Sequence, residues 1–368
     1  MKALVVSEDL HKNISFLNHA VSVRSQLPVL SNILIETNEN KINFSATDLE
    51  IGIQISINAN VEENGRVLVS AKPLLDLFGS LPSVKDITIQ TQDKSLIITT
   101  EKTRSSFQTS DPDEFPMLYE DKGKETAIIK GGEIQKDLVK VVFAASVDMA
   151  RPALSGVLIR RSENETTIAA TDGYRLSLKK MVLEGKEGEE QDIIVPARVL
   201  KEAMMFKDGG DISVSVSKKT NQIVFLQEGK LLVGKLIESK FPDYEKIIPQ
   251  EHDTRVVFDK EEMQKAVKTS SIFAREANGI IRFSVTRDKI TVSANTPSLG
   301  ENRVEVEAKL EGEENEIAFN PRYVLELLSS IDEEEMVFEM TGPLNPGVFK
   351  IKDDSTFLHL IMPVRVQG

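Results

Sequence analysis

The 368-residue chain carries 45 Lys and Arg against 58 Asp and Glu, a formal charge of −13, and 40% of its residues are hydrophobic. That length predicts two or three globular domains, and the acidity excludes a generally adhesive binder of nucleic acid or anionic membrane, though not a local basic surface. The absence of cysteine removes disulfides, thiolate zinc sites and cysteine nucleophiles.

No apolar run is long enough to span a bilayer, and the opening MKALVVSEDL turns acidic before a signal-peptide core could form, so a cytoplasmic chain is expected. In chain order, Leu10, Ile14, Leu17 and Val21 share one helical face and predict a first amphipathic helix. Pro28-Val29-Leu30-Ser31 and Ala46-Thr47-Asp48 follow, then a strand in which Ile51, Ile53, Ile55 and Ile57 alternate with other residues. A second helix opens near Pro73, where a missing amide hydrogen costs nothing, and carries Leu74, Leu77 and Phe78. Past a polar joint at 120–127 the order restarts. Ile134, Leu138, Val141 and Ala145 mark a helix, followed by Pro152-Ala153-Leu154-Ser155 and Ala170-Thr171-Asp172. Leu200, Ala203 and Met204 mark the next helix, and Ile212, Val214 and Val216 a strand. After a second joint at 249–254, a helix carries Met263, Ala266 and Val267, and a strand Val304 and Val306. Pro321 then opens a helix with Val324, Leu327, Leu328 and Ile331.

This order is a repeat. The Pro-x-Leu-Ser and Ala-Thr-Asp motifs each recur after 124 residues, and Thr167-Ile168-Ala169-Ala170 returns as Thr291-Val292-Ser293-Ala294 at the same step. Phe115-Pro116 returns as Phe241-Pro242, 126 residues on. The expected domains are 1–120, 128–249 and 254–368, each α+β, with two helices covering one face of antiparallel sheets.

The chemistry of catalysis is missing. No Gly-x-x-x-x-Gly-Lys loop exists, and Gly131-Gly132 reads as a linker turn, with anion binding the weaker alternative because no lysine follows suitably. Asp48 and Asp172 occupy equivalent places in different repeats, which suits turns better than a shared acid–base pair. His11, His19, His252 and His359 lack metal-ligand spacing; the first two read as helix-surface residues and His359 as part of a strand. No cofactor or metal is expected. The charge is unevenly spread: windows 8–24, 71–80, 133–151, 198–207, 260–275 and 321–331 hold 14 Lys/Arg and 10 Asp/Glu, leaving 31 against 48 elsewhere. Individual lysines there read equally well as solvated faces, but together they suggest helices that tolerate phosphates within an acidic exterior.

The repeats also diverge. Asp172-Gly173-Tyr174-Arg175 stands where the first unit has Asp48-Leu49, and the third has Asn295-Thr296-Pro297. Asp-Gly is by itself a good hairpin turn, but the first unit turns without glycine, so Gly173 is expected not to be required by the fold and instead to expose backbone to a ligand. The apolar stretch 357–364 is either an edge strand of the core or an exposed groove, and the more polar equivalents at 104–111 and 231–238 favour the groove.

LPVLSNILIE, ATDLEIG, FAASVDMARPALSGVLI, AATDGYRLS, ESKFPDYEKIIP, FNPRYVLELL and LIMPVRV carry a family likeness. The chain resembles the bacterial DNA sliding clamps, the beta subunits of DNA polymerase III holoenzyme, over its whole length. The resemblance implies three DNA-clamp domains, antiparallel sheets outside, two helices per domain facing a central hole, and a head-to-tail homodimer. Twelve helices about 10 Å wide would enclose a hole roughly 28 Å across, wide enough for a duplex of about 20 Å. The implied function is that of a non-enzymatic processivity factor that encircles double-stranded DNA irrespective of sequence. It would tether DNA polymerase subunits and be placed by an ATP-dependent clamp loader. Arg24 matches a DNA-contacting arginine of the family, and Arg151 lies in the matching loop of the second unit. Pro152 and Ala153 stand there in place of the tyrosines of some clamps. Lys12, Lys136, Lys140, Arg198, Lys201, Lys265 and Lys268 are DNA candidates from helix placement alone. The family's peptide pocket maps to Leu154, Thr171, Gly173, Tyr174, Arg175, Leu176, Pro242, Ile247, Asn320, Tyr323, Leu344, Pro346, Leu360, Met362, Pro363 and Arg365. There the apolar residues would bury a partner's Leu and Phe anchors, while Arg175 and exposed backbone orient the peptide. Phe107, Ile272 and Phe273 match the ring joint, where Lys72 and Arg104 could face Glu301, Glu305 and Glu307. A scaffold that has lost encirclement, and a hydrolase using Asp48 or Asp172, are the competing readings.

Overall fold

The computed structural model describes residues 1–22, 27–81, 86–121, 123–130, 132–162, 165–181, 191–206, 210–275, 279–296 and 300–365. Among these, seven α-helices run in order: α1 (Ser7–Ile14), α2 (Ala71–Ser80), α3 (Glu133–Val142), α4 (Pro152–Ser155), α5 (Ala197–Ala203), α6 (Lys260–Arg275) and α7 (Pro321–Ser329). The strands form two twelve-stranded antiparallel sheets. None of the described helices is long and apolar enough to cross a membrane.

The repeated motifs fold alike because their side chains satisfy the same backbone groups. Pro28–Ser31 and α4 are single helical turns in which Ser31 Oγ and Ser155 Oγ donate to the carbonyls of Pro28 and Pro152, at 2.7 and 2.9 Å. Thr47 Oγ1 and Thr171 Oγ1 donate to Ile51 and Arg175 carbonyls, at 2.8 and 2.6 Å. Asp48 Oδ1 accepts from the amides of Glu50 and Ile51, and Asp172 Oδ1 from those of Tyr174 and Arg175. Both aspartates are therefore turn residues. The turn demands a left-handed third residue: φ is +93° at Gly173 and +76° at Leu49. The first repeat makes it without glycine only by straining a leucine, which corrects the expectation that the fold does not require Gly173.

Two compact units divide the chain, one comprising residues 1–132 and 201–236 and the other 133–181, 191–200 and 237–365 among those described. The middle repeat contributes to both. In the first unit, strand Ile51–Glu63 pairs with Lys41–Thr47 on one side and Lys230–Lys235 on the other, with Ile53 opposite Leu232. Ile51, Ile53, Ile55 and Ile57 are all buried. Leu10, Ile14 and Leu17 are buried as expected, but the helix does not run on to Val21. It tightens to a 3-10 turn over Ser15–Ala20, where Ser, Asn and His replace good helix formers.

The second unit has a phenylalanine-rich core under α6 and α7, in which Phe283, Phe319 and Phe338 pack edge to face with centroids 5.5–6.1 Å apart. A Cβ on Gly347 would lie 2.5 Å from Phe319 Cζ and 2.7 Å from Phe338 Cε2, so close packing excludes any side chain there. In the same unit, Arg175–Met181 pairs with Asp354–Ile361, setting Leu176 opposite Leu360, Ser177 opposite His359 and Leu178 opposite Leu358. The apolar chain end is thus an interior strand, flanked on its other side by Gly347–Ile351. Phe357, Leu360 and Ile361 belong to the core, which corrects the expectation of an exposed groove along the whole stretch.

Candidate partner pocket, charged helix faces and sheet edges

Several of the candidate pocket residues meet within the second unit, among them Tyr174, Leu176, Tyr323, Leu360 and Met362. After Ile361 the chain leaves its sheet: the Met362 amide donates to the Tyr174 carbonyl at 2.8 Å, and the Val364 amide to the Ala318 carbonyl at 2.8 Å. The chain end is thereby tied to the turn at 171–175 on one side and to the strand entering α7 on the other. Asn320 caps α7, its Oδ1 accepting from the Arg322 amide at 2.9 Å. One turn on, Tyr323 stacks on Tyr174 with centroids 6.5 Å apart and ring planes 17° off parallel. Leu176 and Leu360 form the floor. They are fully buried in a small cluster with Leu158, Leu178, Phe241 and Tyr244, and that cluster seats the segment bearing Pro242 and Ile247.

Apolar surface remains open among the candidates. Of these, Tyr174 is 59% exposed, Ile247 41%, Leu344 68% and Met362 37%, whereas Leu154 and Thr171 are buried and Pro346 and Pro363 half-buried. Arg365 is exposed. A separate depression of about 400 Å³, lined by Arg160, Leu178, Lys180, Tyr244, Ile248 and Leu358 among others, includes none of the candidate residues.

Arg175 differs from its expected role. It is only 4% exposed, and its guanidinium is enclosed by protein. Nε meets Asp172 Oδ2 at 3.1 Å, Nη1 faces Glu326 Oε2 at 2.5 Å, and Nη2 donates to the Phe143 carbonyl at 2.8 Å. Its carbon lies 4.8 Å from the centre of the Tyr323 ring and 5.2 Å from that of Phe143. Nη1 has no hydrogen-bond partner beyond its close contact with Glu326, but it is buried and so offers a peptide no exposed donor. Burial raises the Tyr323 hydroxyl. Burial would also raise Glu326, but hydrogen bonds from Arg322 and Arg175, with their charges, outweigh it and hold this carboxyl below its usual range. Behind Phe143 lies His359, fully buried and stacked on that ring at 5.3 Å. Neither imidazole nitrogen has a hydrogen-bond partner among the described residues. Burial, with the nearby Arg175 charge, pushes this histidine well below its usual range. Sequence reasoning missed Phe143, Glu326 and His359; only the four-residue step from Arg322 to Glu326 hinted at any of them.

Of the DNA candidates, Arg24 lies outside the described residues. Lys12, Lys136, Arg198, Lys201, Lys265 and Lys268 are exposed. Lys140 is not: only 8% exposed, it forms an ion pair with Glu333. Its apolar stem follows Leu138 and Val141 into the contact beneath α3, which removes it from any solvent-facing set. Arg151 is exposed and lies 3.5 Å from Asp148, with Nη1 3.5 Å from where a Cβ on Gly173 would project. That places it at the rim of the candidate pocket.

The joint candidates lie beside open strand edges, one in each unit. Arg104–Gln108 pairs with Ser95–Thr99, and only Thr109 and Ser110 continue to Gly65–Ser70. Residues 300–307 pair with Lys289–Thr296, while 308–312 turn to Thr254–Asp259. The opposite edges of 104–108 and 300–307 have no strand partner among the described residues. Phe107 is half-buried, Ile272 is 59% exposed, and Phe273 packs on the core beneath α6. Lys72 and Arg104 are exposed, but Glu301 and Glu305 already accept from Arg303 and Lys289 at 2.6 Å each.

Family models for the N-terminal, central and C-terminal domains of the DNA polymerase III beta subunit match residues 1–119, 129–243 and 245–365. The chain is 29% identical to the beta sliding clamps of Staphylococcus epidermidis and Staphylococcus aureus over 358 residues, 94% of each chain. Its structure superposes on the DNA polymerase sliding clamp of Bacillus subtilis with a TM-score of 0.95 at 26% identity, covering all of both chains. The DNA polymerase III beta subunit of Pseudomonas aeruginosa gives 0.93 at 25% identity, again over both whole chains. With its three repeated α+β domains accounted for in order, the chain belongs to the DNA polymerase III beta-subunit family, the bacterial sliding clamps.

Proposed function

We propose that two copies of this chain close into a head-to-tail ring around duplex DNA and tether a polymerase to it, so that the chain is a non-catalytic processivity factor. The observation that carries this reading is the superposition on a sliding clamp over the entire length of both chains. Domains at 1–120, 128–249 and 254–368 fit it.

The charge distribution supplies the physical rationale. A chain of net −13 is a poor non-specific DNA binder, yet a closed ring need not bind tightly, because escape would require opening the ring. Lys12, Lys136, Arg198, Lys201, Lys265 and Lys268, with Arg24 and Arg151, would then make brief, interchangeable contacts to backbone phosphates, compatible with sliding. The open edges at 104–108 and 300–307 suit a contact in which one end of a copy meets the other end of the next, closing after two. Ile272 and Phe107 would supply its apolar part. The pocket around Tyr174, Ile247, Leu344 and Met362 would take a short polymerase segment by its Leu and Phe anchors, and an ATP-dependent loader in the cytoplasm would open the ring by the same kind of docking.

The test is retention on nicked circular DNA after loading. The protein is expected to stay on circles and run off once they are linearised. Equal retention on both forms would mean gripping instead of encirclement and would end this reading.

A further inference from the structure

Five side chains form one continuous stack from the buried centre of the second unit to its surface. His359 lies on Phe143, Phe143 on the Arg175 guanidinium, Arg175 on Tyr323, and Tyr323 on Tyr174, with separations of 5.3, 5.2, 4.8 and 6.5 Å. Its inner end, His359, is fully buried, Arg175 is 4% exposed, and its outer end, Tyr174, is 59% exposed. The members come from both the middle repeat (Phe143, Tyr174, Arg175) and the third (Tyr323, His359), so the stack fixes the two sides of the pocket against each other.

We propose that Arg175, gripped between Phe143 and Tyr323, is a positioning residue of the partner pocket: it touches no partner and instead holds Tyr323 and the turn at 171–175 in the docking geometry. The inference rests on the pocket reading above and assigns this residue a different part in it. The guanidinium is suited to the task because it is flat and directional. Its faces lie against two aromatic rings while its edge meets Asp172, which organises the turn, Glu326 on α7 and the Phe143 carbonyl. A lysine would keep the charge but lose both the plane and the fork. Preorganisation of this kind raises affinity by removing the cost of ordering the site during binding.

The test uses the full chain and a fluorescein-labelled docking peptide of the replicative polymerase, read by fluorescence anisotropy. Arg175→Lys is expected to weaken binding by about ten- to hundredfold. The loss should be the same for peptides trimmed to alanine at any single position, because no one peptide group faces the guanidinium. Tyr323→Leu should reproduce the defect, and Arg175→Lys/Tyr323→Leu should be no worse than either alone. The chain has four tyrosines and no tryptophan, so near-ultraviolet circular dichroism should report loss of the stacked pair in Arg175→Lys while far-ultraviolet signal stays native. Unchanged affinity in Arg175→Lys, additive losses, or a loss confined to one peptide position would overturn the proposal. Failure of the unsubstituted chain to bind the peptide would instead remove the pocket reading, and this proposal with it.

Discussion

Leu49 and Gly173 show how one backbone requirement is met in two ways. Both directly follow an Ala-Thr-Asp motif, and both have positive φ. A leucine there costs roughly 1–2 kcal/mol, and exposure of its side chain returns little of that. Leu49→Gly is expected to raise thermal stability slightly, because relief of strain exceeds the added unfolded-state entropy, whereas Gly173→Ala should lower it by about 1 kcal/mol. Paired thermal melts check both. His359 gives a residue-scale prediction in pH. Its folded-state pKa lies well below the unfolded value of 6.5, so the unfolded chain takes up the extra proton. Its contribution is complete above pH 6.5 and is lost as pH falls below it, at up to about 1.4 kcal/mol per unit. The charged groups on the elements packed around it are Arg175, Lys140 and Lys179 with Asp172, Glu326, Glu333, Asp137 and Asp354. Depressed carboxylates among them, such as Glu326 and Asp354, add their own loss only at still lower pH. Urea denaturation of His359→Phe between pH 7 and 5 should show a shallower decline than the parent chain.

At the scale of elements, the helices were largely legible because each buries one stripe. Met263, Ala266 and Val267 on α6, and Val324, Leu327 and Leu328 on α7, lie on the face that their spacing indicates. The strand at 357–361 was harder to place, since an apolar run fits an edge, a groove or an interior equally. Its pairing on both sides resolves that choice. α7 connects element to site: Asn320→Ala should cost about 1 kcal/mol through the lost cap and loosen Tyr323 one turn on. Asn320→Asp should restore stability, as melting curves would reveal. Met362 lies where the interior strand emerges, and Met362→Glu should abolish polymerase-peptide binding without altering assembly, by anisotropy and sedimentation respectively.

At the scale of the molecule, the proposed ring would close edge to edge. Ile272 is exposed within the single chain, so Ile272→Arg should leave folding intact and convert a dimer to monomers in sedimentation velocity. Arg303 and Lys289 already hold Glu301 and Glu305, so exchange of Lys72 or Arg104 should weaken the joint less than the apolar change does. Raising salt should shorten residence on linear DNA far more than on circles.

The repeat, the α+β class, the helix faces and the family likeness follow from the order of residues, because short motifs such as Pro-x-Leu-Ser and Ala-Thr-Asp satisfy their own neighbouring backbone wherever they occur. The fates of Arg175, Lys140 and His359 do not. Each is a polar residue whose partners lie far along the chain, in Glu326, Glu333 and Phe143 respectively, and nothing local distinguishes a solvated cation from one sealed between rings or against a distant carboxylate. Burial of charge is decided by which surfaces meet, and only the tertiary structure sets that.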